Sequence, residues 1–159
     1  MIKLDNINLV NYNPHTQLDV YKELVKTAHL DNFIKEINDR LNRLNSSDKF
    51  KFEQAYLVEL GKAIVGYLYV TGITNDTVYV EYLILKDYRK KGYAKLLLKE
   101  ITTYLFANYN LKSINLDIDV SNVGSINTAC AAGYISEELE NNKLGFIIDN
   151  LDYINKRKR

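Results

Sequence analysis

At 159 residues and a formal net charge of +1, the chain is sized for one domain with its own core. No global field draws it toward nucleic acid or anionic lipid, so neither is expected as a partner. Its one cysteine, Cys130, excludes an internal disulfide, and no run of about 18 apolar residues offers a membrane-spanning helix. The start, MIKLDNINLVNYNP, has neither a basic n-region nor a long apolar run. No signal peptide is expected, and the reading is a soluble cytoplasmic protein.

Residues 2–10 (IKLDNINLV) alternate loosely and predict an opening strand. Leu18, Tyr21, Leu24, Val25 and Ala28 recur at three and four, the spacing of an amphipathic helix. After Asp31 as cap, Phe33, Ile34, Ile37, Leu41 and Leu44 predict a second helix that stops near the polar NSSD stretch at 45–48. From Ala55 the period changes to two. AYLVEL, a Gly61-Lys62 turn and AIVGYLYVTG read as a β-hairpin, and Asn75-Asp76 turns the chain into a third antiparallel strand, TVYVEYLIL.

Ala94, Leu97, Leu98, Ile101 and Leu105 share one face, predicting a helix over 92–107. SINLDIDV at 113–120 alternates strictly, with Ile114, Leu116, Ile118 and Val120 on one face and Asn115, Asp117 and Asp119 on the other. A short helix over 122–132 ends at Gly133 as a left-handed residue. Two strands, near 134–139 and 144–149, flank the ENNK turn. Residues 1–153 are read as a single mixed α/β domain and 154–159 as a basic, solvated tail ending in KRKR.

The informative stretch is YRKKGYAKLLLKEI at 88–101. Arg89, Lys90 and Lys91 repel one another and face the positive end of a helix dipole, so a negative partner is missing from the sequence. A strand, a glycine turn and a helix together aim free backbone N–H groups outward, a geometry that binds phosphate. Gly92 and the small Ala94 let a ligand approach, and Arg89, Lys90, Lys91 or Lys95 add charge-assisted bonds. The run is neither a P-loop nor a dinucleotide fingerprint. Taken alone, the run reads more readily as a solvated basic turn.

YLILKDYRKKGYAKLLL resembles the central motif of the GNAT superfamily of acyl-CoA-dependent N-acetyltransferases: a hydrophobic strand, then [RQ]-x-x-G-x-[GA], then an amphipathic helix. Arg89, Gly92 and Ala94 occupy the defining positions. NVGSINTACAAGY at 122–134 is similar to the family's later motif, with Asn122, Ser125, Gly133 and Tyr134 in place. The resemblance implies a GNAT-like fold, a mixed and mostly antiparallel central sheet flanked by about four helices, with splayed central strands. It implies acetyl-CoA as co-substrate; no metal is expected. The pyrophosphate would rest on the backbone around Lys90, Lys91, Gly92, Tyr93, Ala94 and Lys95, beside Arg89. The pantetheine would lie along Leu83, Ile84 and Leu85, with main-chain bonds at Leu83 and Leu85, while Asn122 would bond it and Ser125 would sit near the thiol. Homodimers are common in the family.

Acetyl transfer needs a neutral amine, an oxyanion donor, which the family draws from strand N–H near Leu85, and a proton for the leaving thiolate. Glu81 is the candidate base, directly or through a water; otherwise it is an ordinary strand glutamate. Asp117 and Asp119 are candidates for holding a cationic amine; otherwise they are the exposed half of an amphipathic strand. Many members carry a tyrosine acid seven residues after the asparagine, where this chain has Ala129. Cys130 shares a stripe with Ile126 and Ala129 and is expected to be a buried apolar thiol, which leaves Tyr134 as a weak alternative acid. His15 and His29 are too isolated to suggest a metal site. The expected function is acetyl transfer from acetyl-CoA to a primary amine of a small molecule or peptide, by direct attack in a ternary complex. The rival is a non-catalytic CoA-binding or protein-interaction module, favoured by Ala129.

Overall fold

A computed structural model of the chain describes residues 2–11, 53–72, 76–138 and 143–150. The helices expected over 18–28 and 33–44, both histidines, most of the ENNK turn and the basic tail lie outside these residues. The opening segment is a hairpin rather than a single strand: β1 (Ile2–Lys3) pairs antiparallel with β2 (Asn8–Asn11), Ile2 opposite Leu9. Asp5 and Asn6 are turn formers, and the Leu4 amide donates across them to the Ile7 carbonyl at 2.8 Å.

β3 (Glu53–Leu60) and β4 (Ala63–Gly72) form the expected hairpin about Gly61-Lys62, with Gly61 at φ 62°. β4 then pairs antiparallel with β5 (Thr77–Ile84). A 3₁₀ turn (Lys86–Tyr88) leads into α1 (Tyr93–Asn108), and β6 (Ser113–Asp119), α2 (Val123–Ala131), β7 (Ile135–Glu138) and β8 (Lys143–Asp149) come after it. Among the described residues the sheet has eight strands in the order β1-β2-β3-β4-β5-β6-β8-β7. Every pair is antiparallel except β5–β6, so the sheet is mixed and mostly antiparallel as expected.

One face of the sheet carries the core described here. Val58, Leu68, Val70, Val78, Val80, Ile114, Leu116 and Phe146 meet Leu97, Leu98, Ile101 and Leu105 of α1 and Ala129 of α2. Each such aliphatic side chain contributes roughly 1.5–3 kcal/mol on burial. α2 ends in a Schellman turn: Gly133 (φ 94°) donates to the Cys130 carbonyl at 3.1 Å and Tyr134 to the Ala129 carbonyl at 3.0 Å. β6 stops one residue early, leaving Val120 exposed rather than on the aliphatic face. α2 buries only Ala129, so Cys130, one step round the helix, is exposed and not the buried thiol expected from its stripe.

β4 is irregular near its start. Val58 lies opposite Gly66 but Glu59 lies opposite Ile64, so Val65 is an extra residue, a β-bulge. The Val65 carbonyl accepts the Leu85 amide at 2.8 Å. Gly66 comes directly after the bulge, and a Cβ there would run into the Leu83 carbonyl oxygen. Gly66→Ala is therefore expected to destabilise the protein by about 1–3 kcal/mol, the usual range for overpacking, in urea unfolding. A change within experimental error would mean that β4 and β5 tolerate a wider spacing.

Burial first, then the neighbouring Tyr109 and Tyr104, pushes the Tyr56 phenol from 10.0 up to about 12. Because its folded pKa lies above its unfolded one, Tyr56 stabilises the fold below about pH 10, and that contribution is lost as pH rises toward 12. Urea unfolding at stepped alkaline pH should show stability falling across this window, with a shallower fall in Tyr56→Phe.

Candidate functional site

The site begins where the sheet comes apart. β5 and β6 pair through only three positions, Thr77 with Ser113, Val78 with Ile114 and Tyr79 with Asn115. Beyond Tyr79 the strands separate, as the expected splay requires. Strand alternation decides which backbone groups face the opening. The Leu85 amide is spent on Val65, so the amides of odd-numbered β5 residues turn toward β4, and those of Tyr82 and Ile84 face the gap. The amides of Leu83 and Leu85, expected to bond the pantetheine, are thus turned toward β4 and not toward the opening. Leu85 is also buried, and its main chain is not on the opening.

At the C-terminal end of β5 the chain bends twice through left-handed backbone, at Lys90 (φ 62°) and Gly92 (φ 80°). A lysine held there is strained, by about 1–3 kcal/mol for such conformations. Nothing lies within 4 Å of a Cβ built on Gly92, so its left-handed φ, and not a clash, is what calls for glycine. Gly92 caps α1 without a side-chain bond, and no acidic residue sits in the first turn. The first amides of α1 thus lack both an intrahelical acceptor and a side-chain one, and with the helix dipole behind them they suit an anion. Arg89 donates through Nε to the Ile84 carbonyl at 2.9 Å, which ties the turn to the strand and presents the rest of its guanidinium. Lys91 instead stands over the Tyr88 ring, 5.8 Å from its centroid.

Across the opening, Asn122 caps α2 by accepting the Ser125 amide on Oδ1 at 3.2 Å. This leaves its Nδ2 donor for a ligand. A cavity of about 490 Å³ joins these parts, lined by Tyr82, Leu83, Ile84, Arg89, Lys90, Gly92, Ala94, Lys95, Asn122, Gly124, Ser125 and Thr128. Its size is that of a ligand site. Nine of the expected donor-site residues are brought together here. Leu85, Lys91 and Tyr93 are not on its wall; Tyr93 packs against the core instead. Tyr82, Gly124 and Thr128 are on the wall and were not expected. Alternation in β5 was the one signal for Tyr82, since it places residue 82 on the face of Val80 and Ile84. Tyr134 does not reach the site: it is 4 % exposed, and its hydroxyl lies 2.7 Å from Thr102 Oγ1 in the core.

The other face of the opening is acidic. Glu81 is half-buried on the face of β5 opposite Tyr82. Asp117 of β6 and Glu137 of β7 are exposed and flank Gly145 of β8 in register. Burial chiefly, then Asp117 and Glu137, raises the Tyr79 phenol, which places all three on one face. Asp119 is engaged differently: its Oδ1 accepts the Ser121 amide at 2.9 Å and the Ser121 hydroxyl at 2.6 Å, holding the turn into α2.

The family model described as the Acetyltransferase (GNAT) family matches residues 19–134. The chain belongs to the GNAT family. No curated protein matches it. Among solved structures it is similar in fold to a spermidine N-acetyltransferase chimera from Vibrio cholerae and hSSAT, at 18% identity and TM-score 0.73 over 95% of this chain and 99% of that one. A Campylobacter jejuni N-acetyltransferase, PseH, in complex with acetyl coenzyme A aligns at 17% identity and TM-score 0.66 over 91% and 99%. RimL, a ribosomal L7/L12 alpha-N-protein acetyltransferase in complex with coenzyme A, aligns at 12% identity and TM-score 0.70 over 92% and 98%.

As a GNAT enzyme the protein is an acetyl-CoA-dependent N-acetyltransferase, and its residues fit that donor. The uncapped amides of α1 with Arg89, Lys90 and Lys95 suit the pyrophosphate, and the amide of Ile84 with Asn122 Nδ2 suits the pantetheine arm. Bound there, the thioester supplies an activated acetyl group. Among the described residues no group of three or more His, Cys, Asp and Glu is placed to hold a metal, and no helix is long and apolar enough to cross a membrane. Gly92→Glu puts a carboxylate at the α1 N-terminus and strains the turn. Calorimetry should show acetyl-CoA affinity falling by at least about 100-fold, as expected when anion repulsion replaces charge-assisted bonding. Retained affinity would move the pyrophosphate site elsewhere.

Proposed function

We propose that the protein transfers the acetyl group to a primary amine of a small molecule or peptide, by direct attack while donor and acceptor are bound together. The observation that carries this reading is the parting of β5 from β6 beyond Tyr79. It leaves a passage through the sheet with cations and helix amides on one side and Glu81, Asp117 and Glu137 on the other. An anionic donor and a cationic acceptor would be drawn to opposite faces and meet at the gap.

In this reading Asp117 attracts the protonated amine. Asp119 contributes only negative field, because its carboxylate holds Ser121. Glu81 takes the proton that the amine must lose, directly or through one water. The need is real at neutral pH, since an α-amino group has a pKa near ~8 and a lysine amine near ~10.4. The amide of Tyr82, farther from the basic turn than that of Ile84, faces the place where negative charge develops on the acetyl oxygen, and a fixed donor of this kind is a large term in acyl transfer. Residues 1–153 act as the acetyltransferase domain. A second reading, a CoA-binding module without chemistry, is favoured by Ala129, which offers no proton donor from α2.

Release of free thiol from acetyl-CoA in the presence of amines, polyamines, aminoglycosides and peptide N-termini separates the two, because a module would release none above background. With the best acceptor, Glu81→Gln should lower kcat about 100-fold near neutral pH, in line with general-base losses, and less at alkaline pH, where the amine is already neutral. An unchanged pH–rate profile would remove Glu81 from the role.

A further inference from the structure

One polar group on the donor cavity has no part in the roles assigned so far. Tyr82 projects from β5 toward α2, on the same face as Val80 and Ile84, and lines the cavity together with Asn122, Ser125 and Thr128. Its hydroxyl is buried and has no partner in hydrogen-bond geometry. Leaving a buried hydroxyl without a partner costs about 1–3 kcal/mol, so its retention calls for an explanation. The hydroxyls of Ser125 and Thr128 approach it and pull its pKa down, but burial outweighs them and the phenol stays above its ordinary value. Thr128 Oγ1 donates to the Gly124 carbonyl at 2.9 Å, so toward the cavity it offers an acceptor only.

Acyl transfer releases a thiolate, and an alkyl thiol has a pKa near ~8.5, well below that of a phenol near ~10. A neutral phenol is thus protonated at working pH and able to donate to a developing thiolate. The helix across the cavity supplies no such group: Ala129 is fully buried in the core and Cys130 points to solvent. We propose that Tyr82 is the general acid of this enzyme, its phenol reaching the leaving sulfur from the strand rather than from the helix.

The step balances. The amine nitrogen forms the C–N bond, the C–S bond breaks with its electron pair going to sulfur, and Tyr82 Oη hands its proton to that sulfur. Solvent then returns a proton to the phenolate and receives, by way of Glu81, the one lost by the amine. The Tyr82 amide faces the gap while its side chain faces the cavity, so one residue is placed to contact both the acetyl oxygen and the sulfur.

This inference rests on the acetyltransferase reading, and the test keeps the two apart. If wild-type protein releases no thiol with any acceptor, the reading itself fails, whatever Tyr82 does. With an active wild type, Tyr82→Phe should lower kcat about 100-fold, as for a lost general acid, with KM for acetyl-CoA changed less than about threefold. Independently of turnover, calorimetry should show wild type binding CoA about fivefold more tightly than desulfo-CoA, the gain expected of one hydrogen bond to sulfur, and Tyr82→Phe binding the two alike. Should that variant lose its cooperative melt, 3,5-difluorotyrosine at position 82 keeps the shape and lowers the phenol pKa, and the alkaline limb of kcat should move to lower pH. A kcat within twofold of wild type in Tyr82→Phe, a CoA preference that survives the substitution, or an alkaline limb unmoved by fluorination would each overturn the assignment.

Discussion

The structure turns on a seam that is closed at one end only. β5 and β6 are the one parallel pair in the described sheet, and they hold together through three residue pairs before separating. Parallel strands are usually buried on both faces and need a long crossover. Here the crossover is the basic turn and α1, which return the chain to the start of β6. The seam is anchored by Val78 and Ile114, both buried against α1. Were it zipped throughout, the amides of Tyr82 and Ile84 would be consumed by β6 and no passage would exist. The fold leaves backbone groups unmated within the centre of a sheet, a place where such groups are costly unless something external pairs them.

What faces that passage is decided one strand further away. The Val65 bulge and the glycine after it bring the Leu83 carbonyl and the Leu85 amide close to β4. That fixes which half of the β5 backbone is turned outward. The unbroken β4–β5 register therefore determines which amides are turned to the opening, and the same parity places Tyr82 on the cavity side and Glu81 on the acidic side. Core packing, backbone donors and the separation of charge between two faces all derive from one register.

Local signals in the sequence were legible where the physics is local. The Gly61-Lys62 hairpin, the left-handed Gly133, the apolar face of α1 and the alternation in β6 appear as expected, because turn chemistry and periodicity act over a few residues. The Asn-x-x-Ser spacing found α2 correctly, and Asn122 turned out to cap its own helix as well as to face the cavity. Features fixed by partners distant in sequence were not legible. The bulge at Val65 is invisible along β4 and shows only in pairing with β3, and the side to which each β5 amide turns is fixed by pairing with β4, a partner strand that β5 alone does not reveal. Cys130 shares a helical stripe with Ala129, yet α2 touches the sheet along so narrow a line that the thiol faces solvent. The break between β1 and β2 was carried by Asp5 and Asn6, two turn formers inside a pattern loose enough to pass for one strand.

The basic bend between β5 and α1 has a bearing on how long the protein survives. Without its anion the bend holds Arg89, Lys90 and Lys91 side by side, one of them in a left-handed conformation, ahead of a helix whose first amides have no cap. An anion seated on those amides would ease all of these burdens. Anything that binds only the folded chain raises its stability logarithmically with concentration, so the resistance of this enzyme to heat and proteolysis is tied to the supply of its own donor. In a cell short of acetyl-CoA the catalyst is idle and also the more perishable.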